Sequence, residues 1–434
     1  MIMRKIDYVL DFCKELGKRM IASGANIERV DLCLERICHA YGLHDVTMAN
    51  LNTRISISAK DENKNYAHRQ TDVPPQVLNL QKLKKLNKLS YKVVEETPDE
   101  TTLYDLLHSI KAKDFPWPIQ LLGFVIAMAG LGRIFLAGWQ ELIVIEINTL
   151  LLFGLSKLFT RIKLNKIITN FVSMFLCTSI GILMTNLGFI NNFFAVLITN
   201  AFFLIPGIAM INCARNLLCG SELNGIIELL KVFLEVCTIV AGLAAAYALF
   251  DAYINFAKIG DYIEMTKQYM DPNGAHFFLK NVELSVLTLL ASIGFSIVFN
   301  IHLKDLPFAA LGGFLIRIFY ILFKLAIPNF KFVYTLLAAF FTALYSEILA
   351  ISRKEPSTLF LYPSVIPLIP GDLFFYAALG IVWSKNEEHL FSTYAPDLLL
   401  CLVGISVGFV VCSTFVHYIR KFKFKRKIAS EEIE

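Results

Sequence analysis

The chain has 434 residues, of which 56% are hydrophobic and only 18% charged, and its formal net charge is +5. Soluble globular proteins carry about 25% charged residues, so a protein soluble over its whole length is excluded. The charge is also unevenly placed: residues 1–115 read like a soluble domain, whereas long stretches after Trp117 carry almost none.

The first residues, Met1-Ile2-Met3-Arg4-Lys5-Ile6, lack the apolar run of a cleaved signal peptide. Ile6, Val9, Leu10, Cys13, Leu16, Met20 and Ile21 then recur at helical spacing. Ser23-Gly24-Ala25-Asn26 interrupts that stripe, Asn26 is suited to cap a second helix, and Glu28 suits its positive first turn. Ile27, Val30, Leu34, Ile37 and Tyr41 form the next stripe, and Gly42 is placed to end it. Arg54–Ala59 alternates as a half-buried strand, and residues 78–92 read as a helix with lysines among its leucines. Residues 1–115 are therefore expected to form a small α+β domain.

This head carries no nucleophile–base set and no phosphate loop. His39, His44, His68 and His108 lack metal-ligand spacing, and nine Cys are scattered without Cys-x-x-Cys pairs. No catalytic residue, metal or cofactor is expected, although a membrane-anchored enzyme with its chemistry in the head is the rival class. The lysines of 82–88 read as a solvated or lipid-facing surface, with no nucleic acid as partner.

A membrane span needs about 20 mostly apolar residues. By that measure the spans are expected near 118–136, 140–159, 167–187, 193–213, 226–250, 281–300, 306–326, 331–351, 358–383 and 397–419. The fold class is mainly α: a polytopic membrane protein of about ten helices with the α+β domain in front. The expected divisions are 1–115 for the head, 116–250 for a first five-helix half, 251–280 for an extracytoplasmic loop, 281–420 for a second half, and 421–434 for a basic then acidic tail. Lys157, Arg161, Lys163 and Lys166, then Arg353 and Lys354, then Arg420–Lys427 all fall on the side of the head. Basic loops stay inside, so both termini are expected in the cytoplasm and the protein in the cytoplasmic membrane.

The fourth segment of each half carries the same break: Phe203-Leu204-Ile205-Pro206-Gly207 and Pro367-Leu368-Ile369-Pro370-Gly371. Five segments per half is an odd number, so the second half should enter the membrane inverted. Matched Pro/Gly interruptions in inverted halves point to a binding site. Proline removes an N–H and glycine permits unwinding, and freed carbonyls in hydrocarbon persist only beside protein or a wet cavity. Pro206, Gly207, Pro370 and Gly371 are thus candidate walls of a transport site. Asn212 and Arg215, beside the first break, are candidates to contact solute.

Ionisable residues within spans are functional candidates by default. Asp372 follows the second break and Arg317 lies mid-span, so the two suit a gated ion pair or a zwitterionic solute. Glu235 near the middle of span five, Glu146 in span two and Asp372 are the proton-coupling candidates. Glu228 and Lys231 share a face with Glu235; they and Glu347 are expected nearer an interface.

The sequence resembles the bacterial threonine/serine exporter family over almost its whole length. Ser23–Val30 and Glu35–Gly42 look like that family's opening helices. Leu204–Asn216 resembles its first-half signature, and Ala291–Phe295 with Ile366–Gly371 resembles the second half, which some members encode as a separate chain. The resemblance implies export of L-threonine and L-serine driven by the proton motive force, with the head in the cytoplasm. Relatives have also been linked to dicarboxylate export. Asn216 stands where an aspartate is common, and Glu228 and Lys231 reverse the family's Arg-then-Glu order. The expected function is proton-coupled export of a small amino acid by alternating access around the two breaks. A dicarboxylate exporter or a channel is the alternative. The expected partners are a small amino acid or carboxylate, protons and lipid, with a homo-oligomer left open.

Overall fold

The computed structural model describes residues 5–51, 53–110, 114–218, 220–250, 257–269, 277–382 and 384–431. Asp251, the acidic end 432–434, and the side chains of Lys385 and the basic run 420–427 lie outside the described residues. The chain forms two compact units. One is Met1–Pro116 with Phe299–Asp305 and Leu349–Leu359; the other is Trp117–Val298, Leu306–Ile348 and Phe360–Glu434.

In the first unit, α1 (Lys5–Ala22) buries Ile6, Val9, Leu10, Cys13, Leu16, Met20 and Ile21, the stripe its spacing predicts. Gly24 has φ +104°, a left-handed turn that glycine adopts without strain. Asn26 then caps α2 (Ile27–Ala40), its side chain accepting from the Glu28 N–H at 3.0 Å. Strands β1 (His44–Met48), β2 (Arg54–Lys60) and β3 (Tyr66–Asp72) make an antiparallel sheet in that order. The central strand β2 buries Ile55, Ile57 and Ala59 as its alternation predicts. The edge strand β3 buries only Ala67, so its polar sequence carries no alternation to read. Ion pairs from Arg69 to Asp7 (2.8 Å) and Asp11 (3.1 Å) tie β3 to α1. Helices α3 (Leu80–Glu96) and α4 (Glu100–Ser109) complete the elements before Pro116.

Lys84 of α3, expected on a solvated face, is instead at the centre of a buried ion cluster. Its Nζ lies 2.6 Å from Asp305 and 2.9 Å from Glu355, acids whose side chains are 1% and 4% exposed. Arg353 pairs with the other Asp305 oxygen at 3.0 Å, and Lys88 reaches Glu355 at 3.1 Å. Arg29 donates to Ser357 at 2.6 Å. Backbone bonds from Leu80 to Phe299 and from Gln81 to Asn300 join the start of α3 to the same segment.

The second unit is helical: α5 (Trp117–Ile134), α6 (Trp139–Arg161), α7 (Lys166–Asn186), α8 (Phe193–Leu204), α9 (Gly207–Leu218), α10 (Glu222–Phe250), α11 (Ala257–Tyr269), α12 (Phe277–Val298), α13 (Leu306–Ala326), α14 (Lys331–Arg353), α15 (Thr358–Val365), α16 (Gly371–Val382) and α17 (Ser384–Glu431). Eight described helices are long and apolar enough to cross a membrane. Two further pairs, α8 with α9 and α15 with α16, bend by 56° and 49° at breaks of a few residues, giving up to ten spans. The protein is a multi-pass membrane protein. The region 251–280, expected as a loop, contains α11.

Small residues let these helices approach closely, as is usual where packing replaces the hydrophobic effect. Gly294 of α12 lies against the backbone of Gly123 and Ala127 in α5, and a Cβ at Gly130 would be 3.0 Å from the Ala291 nitrogen. Glu141, at the start of α6, is buried because it has work as a cap. One carboxylate oxygen accepts the N–H groups of Asn191 (3.0 Å) and Asn192 (2.9 Å), which lead into α8.

Candidate functional site

The two Pro-Gly segments break their helices in the same way. Ile205 has φ −65° and ψ 127°, and Ile369 has φ −62° and ψ 125°. In each, the glycine N–H turns back two residues, Gly207 to the Ile205 carbonyl and Gly371 to the Ile369 carbonyl, both at 2.8 Å. The next helix then restarts on the proline carbonyl, through Met210 to Pro206 at 3.0 Å and Phe374 to Pro370 at 3.1 Å. Neither proline can donate to the turn before it, so both helices must stop there.

The second break carries two more prolines, which extends the irregular stretch. Pro363 lies within α15, and Ile366–Leu368 forms a 3₁₀ turn. Pro367 cannot satisfy the Pro363 carbonyl four residues earlier. The buried Ser292 hydroxyl of α12 donates to that carbonyl at 3.0 Å. Protein thereby covers a freed backbone acceptor, as an apolar surrounding requires.

The breaks also touch one another. A Cβ built on Gly207 would lie 2.6 Å from Ile369 Cδ1, and one built on Gly371 would run into the Phe202 ring. The absence of a side chain at each glycine is what lets the other segment approach.

Beside the second break lies a cavity of about 1570 Å³. Pro367 to Pro370, Asp372 and Leu373 form one wall, and Phe202 is the first break's contribution. Arg317, Lys324 and the tyrosines Tyr320 and Tyr334 come from α13 and α14, while Asp397 and Tyr394 come from α17. The lining residues of α5 lie at its C-terminal end and those of α14 at its N-terminal end. With α11 they place the cavity at the end of the bundle opposite Trp117.

Asp372 sits in the first turn of α16, where its carboxylate accepts backbone N–H groups of Asp372 and Leu373. Free helix N–H groups favour an anion there. Lys331, Tyr262, Tyr376 and Tyr394 line the same cavity. Lys331 is itself held by Asp397 at 2.5 Å. Arg317 stands with its guanidinium 5.7 Å from the centre of the Tyr320 ring, and Tyr320 meets Tyr334 edge to face at 5.3 Å.

The remaining sequence candidates separate from this cavity. Pro206 and Gly207 do not line it, although Gly207 lies against Ile369, which does. Asn212 and Arg215 are buried in α9, at 7% and 6% exposure, and do not line it. Glu235 pairs with Lys166 at 2.7 Å, at the start of α7. Both carboxylate oxygens of Glu146 are enclosed and accept no hydrogen bond among the described residues. Neither the amide nitrogen nor the amide oxygen of Asn200, a fully buried residue of α8, has a hydrogen-bond partner among the described residues. Asn216 donates to Glu228 at 2.8 Å, so two of the three positions noted as departures in the sequence are neighbours. Glu228 and Glu347, expected nearer an interface, are both 8% exposed.

Sequence reasoning passed over Lys324 near the end of α13, Lys331 at the start of α14 and Asp397 within α17. No group of three metal-binding side chains occurs among the described residues.

A family model described as threonine/serine exporter matches residues 11–250, and a second, described as "Threonine/Serine exporter, ThrE", matches residues 284–415. No curated protein and no solved structure matches. The two matches cover both halves of one chain, and the protein belongs to the threonine/serine exporter family in its fused form.

Proposed function

We propose that this protein is a secondary transporter that exports a small amino acid of the threonine/serine kind across the cytoplasmic membrane. The observation that carries the reading is the cavity of about 1570 Å³ beside the second helix break, with Asp372 and Arg317 both on its surface. An acid and a base on one polar surface suit the ammonium and carboxylate of a zwitterion. Freed backbone groups at a break supply further hydrogen bonds to a polar solute. The cavity lies at the end of the bundle away from Trp117. With the head and both termini in the cytoplasm, that end faces out, and the described conformation is one arm of an alternating-access cycle between two inverted halves.

Protons are the proposed driving ion, and Glu146 and Asp372 are the carboxylates best placed to carry one. Glu146 is an enclosed acid with no bonded partner among the described residues. Glu235 is less suited, because its charge is matched by Lys166. The presence of Arg317 and Lys324 on one wall favours a second reading, in which the solute is a dicarboxylate.

Efflux from preloaded proteoliposomes tests the proposal. Saturable loss of labelled threonine or serine that accelerates with an imposed pH gradient is expected. Non-saturating flux indifferent to the gradient would identify a channel instead.

A further inference from the structure

Besides its tyrosines and His389, the cavity is lined by three lysine or arginine side chains and three acids: Arg317, Lys324 and Lys331 against Glu264, Asp372 and Asp397. Their pairing is unequal. Lys331 and Asp397 cancel each other at 2.5 Å. Asp372 makes no ion pair among the described residues. Lys331 shares one cavity with both acids, and its direct bond goes to Asp397. Arg317 and Lys324 on α13 and Asp372 at the start of α16 line the same cavity.

We infer that Asp397 is a specificity-determining residue: by holding Lys331, it keeps Asp372 available for a solute ammonium, so the cavity selects amino acids over dicarboxylates. The inference rests on the transport reading given above. A lysine ammonium and a solute ammonium compete for one carboxylate, and like charges brought together there repel. Without Asp397, Lys331 turns to Asp372, the ammonium subsite is filled, and one positive charge is left over among the lining groups. A cavity so altered suits a solute with two carboxylates and no amine. Asp397 acts through Lys331, so it is a positioning residue.

The test compares efflux of threonine and of succinate from proteoliposomes bearing the wild type or the Asp397→Asn variant. The threonine-to-succinate ratio should fall about tenfold or more, the equivalent of about 1.4 kcal/mol. The double variant Lys331→Met with Asp397→Asn removes the competing ammonium and should restore the wild-type ratio. A merely structural role would lower both fluxes together and would not be repaired by a second substitution. If Asp397→Asn does not fold, Lys331→Met alone decides. It leaves two unpaired acids in the cavity and should carry lysine, a cationic amino acid, at a rate about tenfold or more above that of the wild type. An unchanged ratio in folded Asp397→Asn, or no gain in lysine flux in Lys331→Met, overturns the inference. Absence of threonine efflux from the wild type would instead overturn the transport reading itself.

Discussion

Gly207 of the first Pro-Gly break lies against Ile369 of the second, so close that a Cβ on the glycine would come within 2.6 Å of the isoleucine Cδ1. The reciprocal glycine, Gly371, lies against the Phe202 ring. Two segments 164 residues apart, with the same backbone angles at Ile205 and Ile369, thus pack as a pair. The relationship explains why each motif ends in glycine: a side chain there would overlap a side chain of the other segment, which would have to give way.

The two contacts differ in what can yield. Ile369 Cδ1 is the far end of a flexible side chain, whereas the Phe202 ring is rigid. Gly207→Ala should therefore be tolerated, with transport reduced less than in Gly371→Ala. Overpacking of this kind costs about 1–3 kcal/mol, and Gly371→Ala should reach the upper part of that range. Trimming the neighbour checks the cause: Phe202→Ala should recover much of the stability that Gly371→Ala loses, measured by thermal melting of the purified protein. Strictly additive losses would mean that the ring is not the obstacle.

Asp372 and Arg317 line one cavity from different helices, and each should matter to binding more than to folding. Asp372→Asn and Arg317→Gln are expected to raise the KM for threonine by about tenfold or more, since losing a charge-assisted bond costs about 1.5–3 kcal/mol. Asp372→Asn should also flatten the response to an imposed pH gradient if that carboxylate carries the proton. A full response in Asp372→Asn would leave Glu146 as the acid to substitute next. Flux measured at several threonine concentrations, with and without the gradient, separates the two effects.

Much of this was legible in the sequence because membrane helices are written in long apolar runs. The expected spans coincide with helices α5 to α10 and α12 to α17, and the two Pro-Gly motifs mark the two bends. What the sequence hid follows from pairing at a distance. Lys84 reads as one of several surface lysines, because nothing nearby in the chain says that Asp305 and Glu355 meet it. Lys331 and Asp397 lie 66 residues apart and each looks like an interfacial charge. Strand β3 is hidden because an edge strand with one buried residue shows no alternation, and α11 because a helix with four charged residues in thirteen resembles a loop.

The Lys84 cluster makes a sharp contrast between neighbouring lysines. Lys84 is 19% exposed and serves two buried acids, whereas Lys88 is 57% exposed and serves one. Removing one partner of a buried pair costs about 3–5 kcal/mol, because a charge is left without compensation. An exposed pair contributes about 0–1 kcal/mol. Lys84→Met should thus destabilise the unit formed by residues 1–116, 299–305 and 349–359 far more than Lys88→Met. Hydrogen exchange of the α3 amides in the full-length protein reads this out. Because Asp305 runs directly into α13, which carries Arg317, Lys84→Met should also lower transport. Equal exchange in both variants would show that the Lys84 pairs contribute nothing net.

Asp31 supplies a prediction about pH. It lies on α2, its carboxylate accepts from Asn50 Nδ2 at 2.6 Å, and burial raises its pKa to about 6, with Glu28 and Glu35 adding in the same direction. The folded chain therefore binds a proton that the unfolded chain, with an ordinary aspartate, has already released. Stability falls with pH wherever the folded state holds more protons. The loss should occur between about pH 4 and pH 6, with no further contribution above that window. Asp31→Asn keeps an acceptor for Asn50 and removes the charge. It should protect the α2 amides from hydrogen exchange more than the wild type at pH 7.5, and the two proteins should converge as the pH falls to about 4. A variant less protected than the wild type at pH 7.5 would mean that the charged carboxylate stabilises α2, reversing the sign argued from its burial.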